Sequence, residues 1–147
     1  MKLVSVVVPI YKCDDSLRLL HARVRKVFED IETAFELIFV DDGGGFRTWE
    51  IIREIADADR SVSGLRLSRN FGQHPAIMAG IRASHGDAVL VMDCDLQDPA
   101  EMIPAFLAAL SESDIVYSQR SLSGETYWRR VQSGVYTKLV SWFTGNK

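Results

Sequence analysis

Residues 88–99 run Ala88-Val89-Leu90-Val91-Met92-Asp93-Cys94-Asp95-Leu96-Gln97-Asp98-Pro99. The five apolar residues at the start predict a short buried strand. The run stops at a carboxylate, and oxygen-bearing side chains then stand at 93, 95 and 97. In extended chain, alternate side chains share a face, so two carboxylates and an amide would aim at one point. Hard divalent cations such as Mg²⁺ or Mn²⁺ take such oxygen ligands and bridge to substrate phosphates. Acidic residues also form ordinary solvated turns after strands, and spacing by itself does not separate the two readings. Asp98 stays outside the cation set, because a residue before proline at a helix start is explained by capping.

Upstream and downstream of this stretch, strands alternate with helices. Strands are predicted over residues 3–9, 35–40, 62–67, 88–92 and 115–118. Helices are predicted over 14–30, 48–58, 75–84, 99–110 and 125–143. Leu17, Leu20, Val24, Val27 and Phe28 recur at helical spacing, as do Trp49, Ile52 and Ile55. Asp14 or Asp15 is placed to cap the first helix, and Pro75 suits a first turn. Asp98 and Glu101 are spaced as a capping box. This order implies βαβ units, an α/β fold and a mostly parallel sheet flanked by helices. Ligands of such sheets sit beyond the carboxyl ends of the strands. Pro9-Ile10-Tyr11, Asp41-Asp42-Gly43, Ser68-Arg69-Asn70 and the segment from Asp93 to Asp98 all fall there.

Each of these strand ends has a chemical and a plain reading. Asp42 can accept from a nucleotide base or ribose, or can simply turn the chain before Gly43-Gly44-Gly45. Tyr11 offers a flat face for a base, or packs in the core. Arg69 can neutralise a diphosphate, or make an exposed ion pair. Gly72 turns the chain into the Pro75 helix, whose N-terminus favours anions. His74 has no acidic or cysteine partner in the sequence and is taken as structural. Arg129 and Ser133, four apart, share a helix face and with Arg120 can hold a phosphate. A solvated basic face explains them equally.

The 147 residues make one ordinary domain, and a net charge of −3 gives no nucleic-acid signature. From Arg120 onward, five Lys/Arg stand against one Glu. That basic end suits an anionic acceptor or a membrane surface. Cys13 and Cys94 make no disulfide framework and are read as reduced thiols of a cytoplasmic protein. Residues 3–10 are too short to cross a bilayer or to act as a signal peptide. The chain stops at Trp142-Phe143-Thr144-Gly145-Asn146-Lys147 with no closing strand, which reads as a C-terminal truncation.

Four blocks together resemble a known family: Ser5-Val6-Val7-Val8-Pro9-Ile10-Tyr11, Leu37-Ile38-Phe39-Val40-Asp41-Asp42-Gly43, Leu67-Ser68-Arg69-Asn70-Phe71-Gly72-Gln73 and Met92 to Pro99. In order and spacing they look like the family-2 inverting glycosyltransferases of the GT-A fold. The third and fourth blocks point to the polyprenyl-phosphate, dolichyl-phosphate-mannose-synthase-like branch. The resemblance implies that residues 1–147 are the N-terminal nucleotide-binding part of a glycosyltransferase catalytic domain. Asp93 and Asp95 would bind Mg²⁺ or Mn²⁺ and the donor diphosphate, with Gln97 joining the metal. Asp42 would read the donor base, and Pro9 and Tyr11 would line its pocket. Arg120 would face the acceptor phosphate, with Arg129 and Ser133 as further acceptor contacts; Asp95 and Arg120 are the residues expected to carry catalysis. The partners implied are a nucleoside diphosphate sugar and a lipid phosphate, at the cytoplasmic face of the membrane.

The chain departs from the family pattern at three positions. Lys12 stands where asparagine is usual, and Gly44 and Phe46 replace a serine and an aspartate, while Thr48 is kept. The losses at 44 and 46 remove a helix cap, and three successive glycines loosen the loop. Gly44, Phe46 and the early end of the chain favour an alternative, a sugar-nucleotide-binding remnant without activity. A phosphatase using Asp93 as nucleophile and Asp95 as acid would want a small hydroxyl residue at 97 and its acidic pair on the first strand. A dinucleotide fold would want G-x-G-x-x-G after that strand, and none is present.

Overall fold

The computed structural model describes residues 2–117, of which those up to Asp114 belong to one compact unit. In order they form β1 (Leu3–Ile10), α1 (Leu17–Asp30), β2 (Ala34–Asp41), α2 (Phe46–Ala58), β3 (Val62–Arg66), α3 (Gln73–Ala83), β4 (Ala88–Val91) and α4 (Ile103–Leu110). The four strands make one parallel sheet in the order β3-β2-β1-β4. The α/β reading of the sequence holds.

Side-chain alternation along the strands builds two cores. Val4, Val6, Val8 and Ile10 of β1, with Leu37 and Phe39 of β2, join Leu17, Leu20, Val24 and Phe28 of α1 and Ile52 and Ile55 of α2. The intervening Val7, Ile38 and Val40 meet Ala76 of α3 in a smaller cluster. So α1 and α2 cover one face and α3 the other. A Cβ on Gly80 would come within 2.3 Å of Val7 Cγ1, so α3 sits closer to β1 than any other residue type would permit.

Three boundaries differ from expectation for identifiable reasons. A 3₁₀ turn, Asp14–Ser16, precedes α1, and neither Asp14 nor Asp15 caps it. The helix expected over 99–110 begins as a 3₁₀ turn, Ala100–Met102, and becomes α-helical at Ile103, where Pro104 sits in the first turn. The residue before that 3₁₀ turn is Pro99, which makes no side-chain cap. Ile115, Val116 and Tyr117 form no strand, while the helix expected over 125–143 lies outside the described residues.

Pro9 explains where β4 ends. Along β1, Ile10 O accepts from Asp42 N on the β2 side, at 2.9 Å, and Val7 O accepts from Met92 N on the β4 side, at 3.0 Å. Pro9 therefore faces β4 but has no N–H with which to extend the ladder. The register runs only from Val4 with Ala88 to Val7 with Val91, and beyond it the chain leaves the sheet at Asp93.

Candidate active site

The connections β1–α1–β2–α2–β3 build the sheet outward in one direction. The β3–α3–β4 crossover returns to the other side of β1. The order reverses between β1 and β4, and a crevice beyond the carboxyl ends of two such strands is the usual ligand position in open α/β sheets. Tyr11, Lys12 and Cys13 leave β1 at this point, and Asp93, Cys94 and Asp95 leave β4.

At the β2 end both aspartates are buried. Asp41 Oδ1 accepts from Gly44 N at 2.6 Å, and its Oδ2 makes no hydrogen bond among the described residues but lies 3.3 Å from Arg66 Nε. Asp42 points the other way. Its Oδ1 accepts from Phe71 N at 2.7 Å and its Oδ2 from Gly72 N at 2.8 Å. The amide groups just before α3, which the sequence offers to an external anion, are thus taken up by the protein's own carboxylate. Gly72 holds φ 97, a conformation that suits glycine. Arg69 lays its guanidinium 4.5 Å from the centre of the Phe71 ring and is exposed.

The glycine loop is held more firmly than its composition suggests. Gly44 is tied to Asp41, and a Cβ on Gly43 would press on Asn70 N at 2.8 Å. The Thr48 hydroxyl, fully buried, donates to Asp14 Oδ1 and joins α2 to the turn before α1. The missing cap is real: Gly45 stands at the N-cap of α2 without a side-chain bond.

At the β1 end Pro9 is buried within the strand and Tyr11 is 48% exposed, so the tyrosine is not a core residue. Lys12 follows with φ 56, a left-handed conformation that asparagine tolerates better than lysine. Its Nζ lies 5.1 Å from the Tyr11 ring centre. His74 is exposed on the first turn of α3, so it has no structural role in the core.

At the β4 end the chain turns instead of staying extended. Asp95 Oδ1 accepts from Gln97 N at 3.0 Å, and Leu96 adopts φ 63. The alternation expected for 93, 95 and 97 therefore does not apply. Freed from the β1 ladder after Met92, the segment is shaped by its own side-chain-to-backbone turn. Asp93 Oδ1 accepts from Gln73 Nε2 at 2.9 Å. Cys94, between the two aspartates, is disulfide-bonded to Cys13, and its carbonyl accepts from the Ser16 hydroxyl. The expectation of two reduced thiols is thus overturned. The strand order makes neighbours of two loops that are 81 residues apart in sequence.

Asp93, Asp95 and Gln97 offer hard oxygen donors of the kind Mg²⁺ and Mn²⁺ take. Among the described residues no three His, Cys, Asp or Glu side chains form a metal cluster by themselves. Two carboxylates completed by phosphate oxygens are an ordinary Mg²⁺ environment, so the donor set fits a cation shared with a diphosphate. Arg120, Arg129 and Ser133 lie outside the described residues. The sequence reading passed over Gln73 and the cysteine pair. Gln73 had a signal, since it closes the Leu67-Ser68-Arg69-Asn70-Phe71-Gly72-Gln73 block; the cysteines had none.

The profile of Glycosyl transferase family 2 matches residues 5–146. An undecaprenyl-phosphate 4-deoxy-4-formamido-L-arabinose transferase of Aeromonas hydrophila is 39% identical over 147 residues, covering 99% of this chain and 45% of its own. The chain thus spans less than half the length of the curated relatives it matches. Among solved structures, S. aureus TarS in complex with UDP superposes with a TM-score of 0.62 at 23% identity, over 86% of this chain and 38% of that one. A mannosyltransferase of Pyrobaculum calidifontis in complex with GDP-Man and Mn²⁺ gives 0.57 at 21% identity, over 76% and 33%. At these identities the two structures share the fold.

Proposed function

This chain belongs to glycosyl transferase family 2, and we propose that its site takes a nucleoside diphosphate sugar and moves the sugar, with inversion, to a polyprenyl phosphate. One observation carries the reading. Three strand ends meet at the switch point, with exposed Tyr11 after β1, the Asp42-held loop 69–72 beside β2, and Asp93 after β4, the last two joined through Gln73. The A. hydrophila relative is named for transfer to undecaprenyl phosphate, which supports the acceptor class. The two solved structures hold UDP, and GDP-Man with Mn²⁺, the ligand class proposed here.

Residues 1–147 serve in this reading as the nucleotide-binding part of the catalytic domain. Tyr11 presents a ring face to the base beside Pro9, and Asp42 and the Gly72 turn shape its pocket. Arg69, exposed and resting on Phe71, lends positive charge to the diphosphate. Asp93, Asp95 and Gln97 would hold Mg²⁺ or Mn²⁺, which when bound supplies charge to the leaving diphosphate. A phosphate monoester is mostly anionic near neutrality, its second pKa being about 6. The nucleophile therefore needs no dedicated base. Arg120 positions it, with Arg129 and Ser133 as further contacts, and positioning matters more than added charge.

A lipid acceptor places the reaction at a membrane face, and the donor points to its cytoplasmic side. The Cys13–Cys94 bond argues for a more oxidising setting. Thiol titration of the chain taken directly from cells decides between them. The function is tested by calorimetry with UDP and GDP, with and without Mn²⁺, and by transfer to a polyprenyl phosphate. Asp95→Ala is expected to remove Mn²⁺-dependent nucleotide binding with the fold intact. Unchanged metal dependence in that variant rejects the site.

A further inference from the structure

We infer that Gln73 is a positioning residue for Asp93; this rests on the cation reading above and deepens it. Gln73 is the first residue of α3, and its amide nitrogen donates to Asp93 Oδ1 at 2.9 Å. An ionised carboxylate only accepts, so the amide must present its nitrogen.

The place of Gln73 is fixed from β2. Buried Asp42 grips the N–H groups of Phe71 and Gly72, the two residues immediately before it. Asn70 Oδ1 also accepts from Gly72 N, at 3.0 Å. Gly72, at φ 97, then turns the chain into the helix. A continuous series of contacts therefore runs from a carboxylate at the end of β2, through two peptide groups and one amide, to a carboxylate at the end of β4. Asp93 leaves the β1 ladder just after Met92, so its orientation has to come from a neighbour, and Gln73 supplies it.

The residue type matters as much as the contact. Arginine or lysine here would hold Asp93 at least as firmly. Either would also place a positive charge where a divalent cation must bind. A neutral amide orients one carboxylate oxygen and leaves the full negative charge for the ion. Partners that hold a metal-binding carboxylate are typically worth 10–100-fold in metal affinity.

The test is a Mn²⁺ titration of the 147-residue chain followed by electron paramagnetic resonance, with and without UDP or GDP. Gln73→Ala is expected to weaken Mn²⁺ binding about tenfold or more with an unchanged melting temperature. Gln73→Lys, which keeps a donor but adds a charge, is expected to weaken it further. Equal Mn²⁺ affinity in Gln73→Ala and the unaltered chain overturns the inference, as does a lysine variant that binds like the unaltered chain. A fall in melting temperature that accounts for the lost affinity also overturns it, by making the contact a fold contact. If the unaltered chain binds no Mn²⁺, the cation reading itself fails and this one with it. A Mn²⁺ signal indifferent to residue 73 sinks the positioning role alone.

Discussion

At the end of β2, Asp41 and Asp42 are buried and their oxygens face Gly44 N, Arg66, Phe71 N and Gly72 N. At the end of β4, Asp93 and Asp95 lie nearer the surface, one held by a side-chain amide and the other by a turn of its own making. Residue type is the same in both places. What differs is what the chain does next. After β2 a loop closes its amide groups over the carboxylates; after β4 the chain departs from the sheet. A strand-end aspartate builds the protein where backbone donors surround it, and stays available to ligands where they do not.

The largest effect expected to break this contrast comes from the tie beneath Asp93 and Asp95. The Cys13–Cys94 bond closes a loop of about 80 residues, and losing such a bond costs about 4 kcal/mol in the chain-entropy picture. Urea unfolding with and without a phosphine reductant should show that loss, and Cys94→Ser should be indifferent to the reductant. Mn²⁺ affinity should fall on reduction if the bond steadies the β4 end. Next comes the clamp at β2. Asp42→Ala strands the Phe71 N–H and leaves the Gly72 N–H only its bond to Asn70 Oδ1; a backbone group so stranded costs about 1–3 kcal/mol when buried, so a loss of about 2 kcal/mol is expected. Asp95→Ala, exposed, should cost about 0.5 kcal/mol or less. Similar denaturation midpoints for the two variants would erase the distinction between the pairs. The smallest effect is at the β1 end. Lys12→Asn relieves a lysine from left-handed backbone and should add about 0.5–1 kcal/mol, read as a rise in urea midpoint; a fall would mean that the Lys12–Tyr11 contact outweighs the backbone.

Much of this was legible in the chain itself. Continuous valine runs and helical spacing are local signals, and they placed β1 to β4 and the helices between them within a few residues. The misses have physical causes. Pro104 moved the start of α4, because proline suits the first turn of a helix and spoils a later one. The strand expected at 115–118 is not formed over Ile115–Tyr117, where a short apolar run had no further support. The cysteine bond is invisible to any local reading, since only the reversal of strand order brings residues 13 and 94 together. At the site, residue types were readable but their surroundings were not. Asp42 reads as a ligand-facing carboxylate until Phe71 N and Gly72 N are seen closing on it. The expected face shared by 93, 95 and 97 assumed extended chain where the backbone turns at Leu96.

Pro9 has one more effect. The nitrogen that halts pairing belongs to β1, so the point at which β4 lets go is specified by its neighbour rather than by β4 itself. Residues after Met92 can accordingly change in identity or number without shifting any paired residue above them. The pairing of the sheet is insulated from revisions at its own rim, which leaves the backbone of that rim free to take another course without redrawing the register.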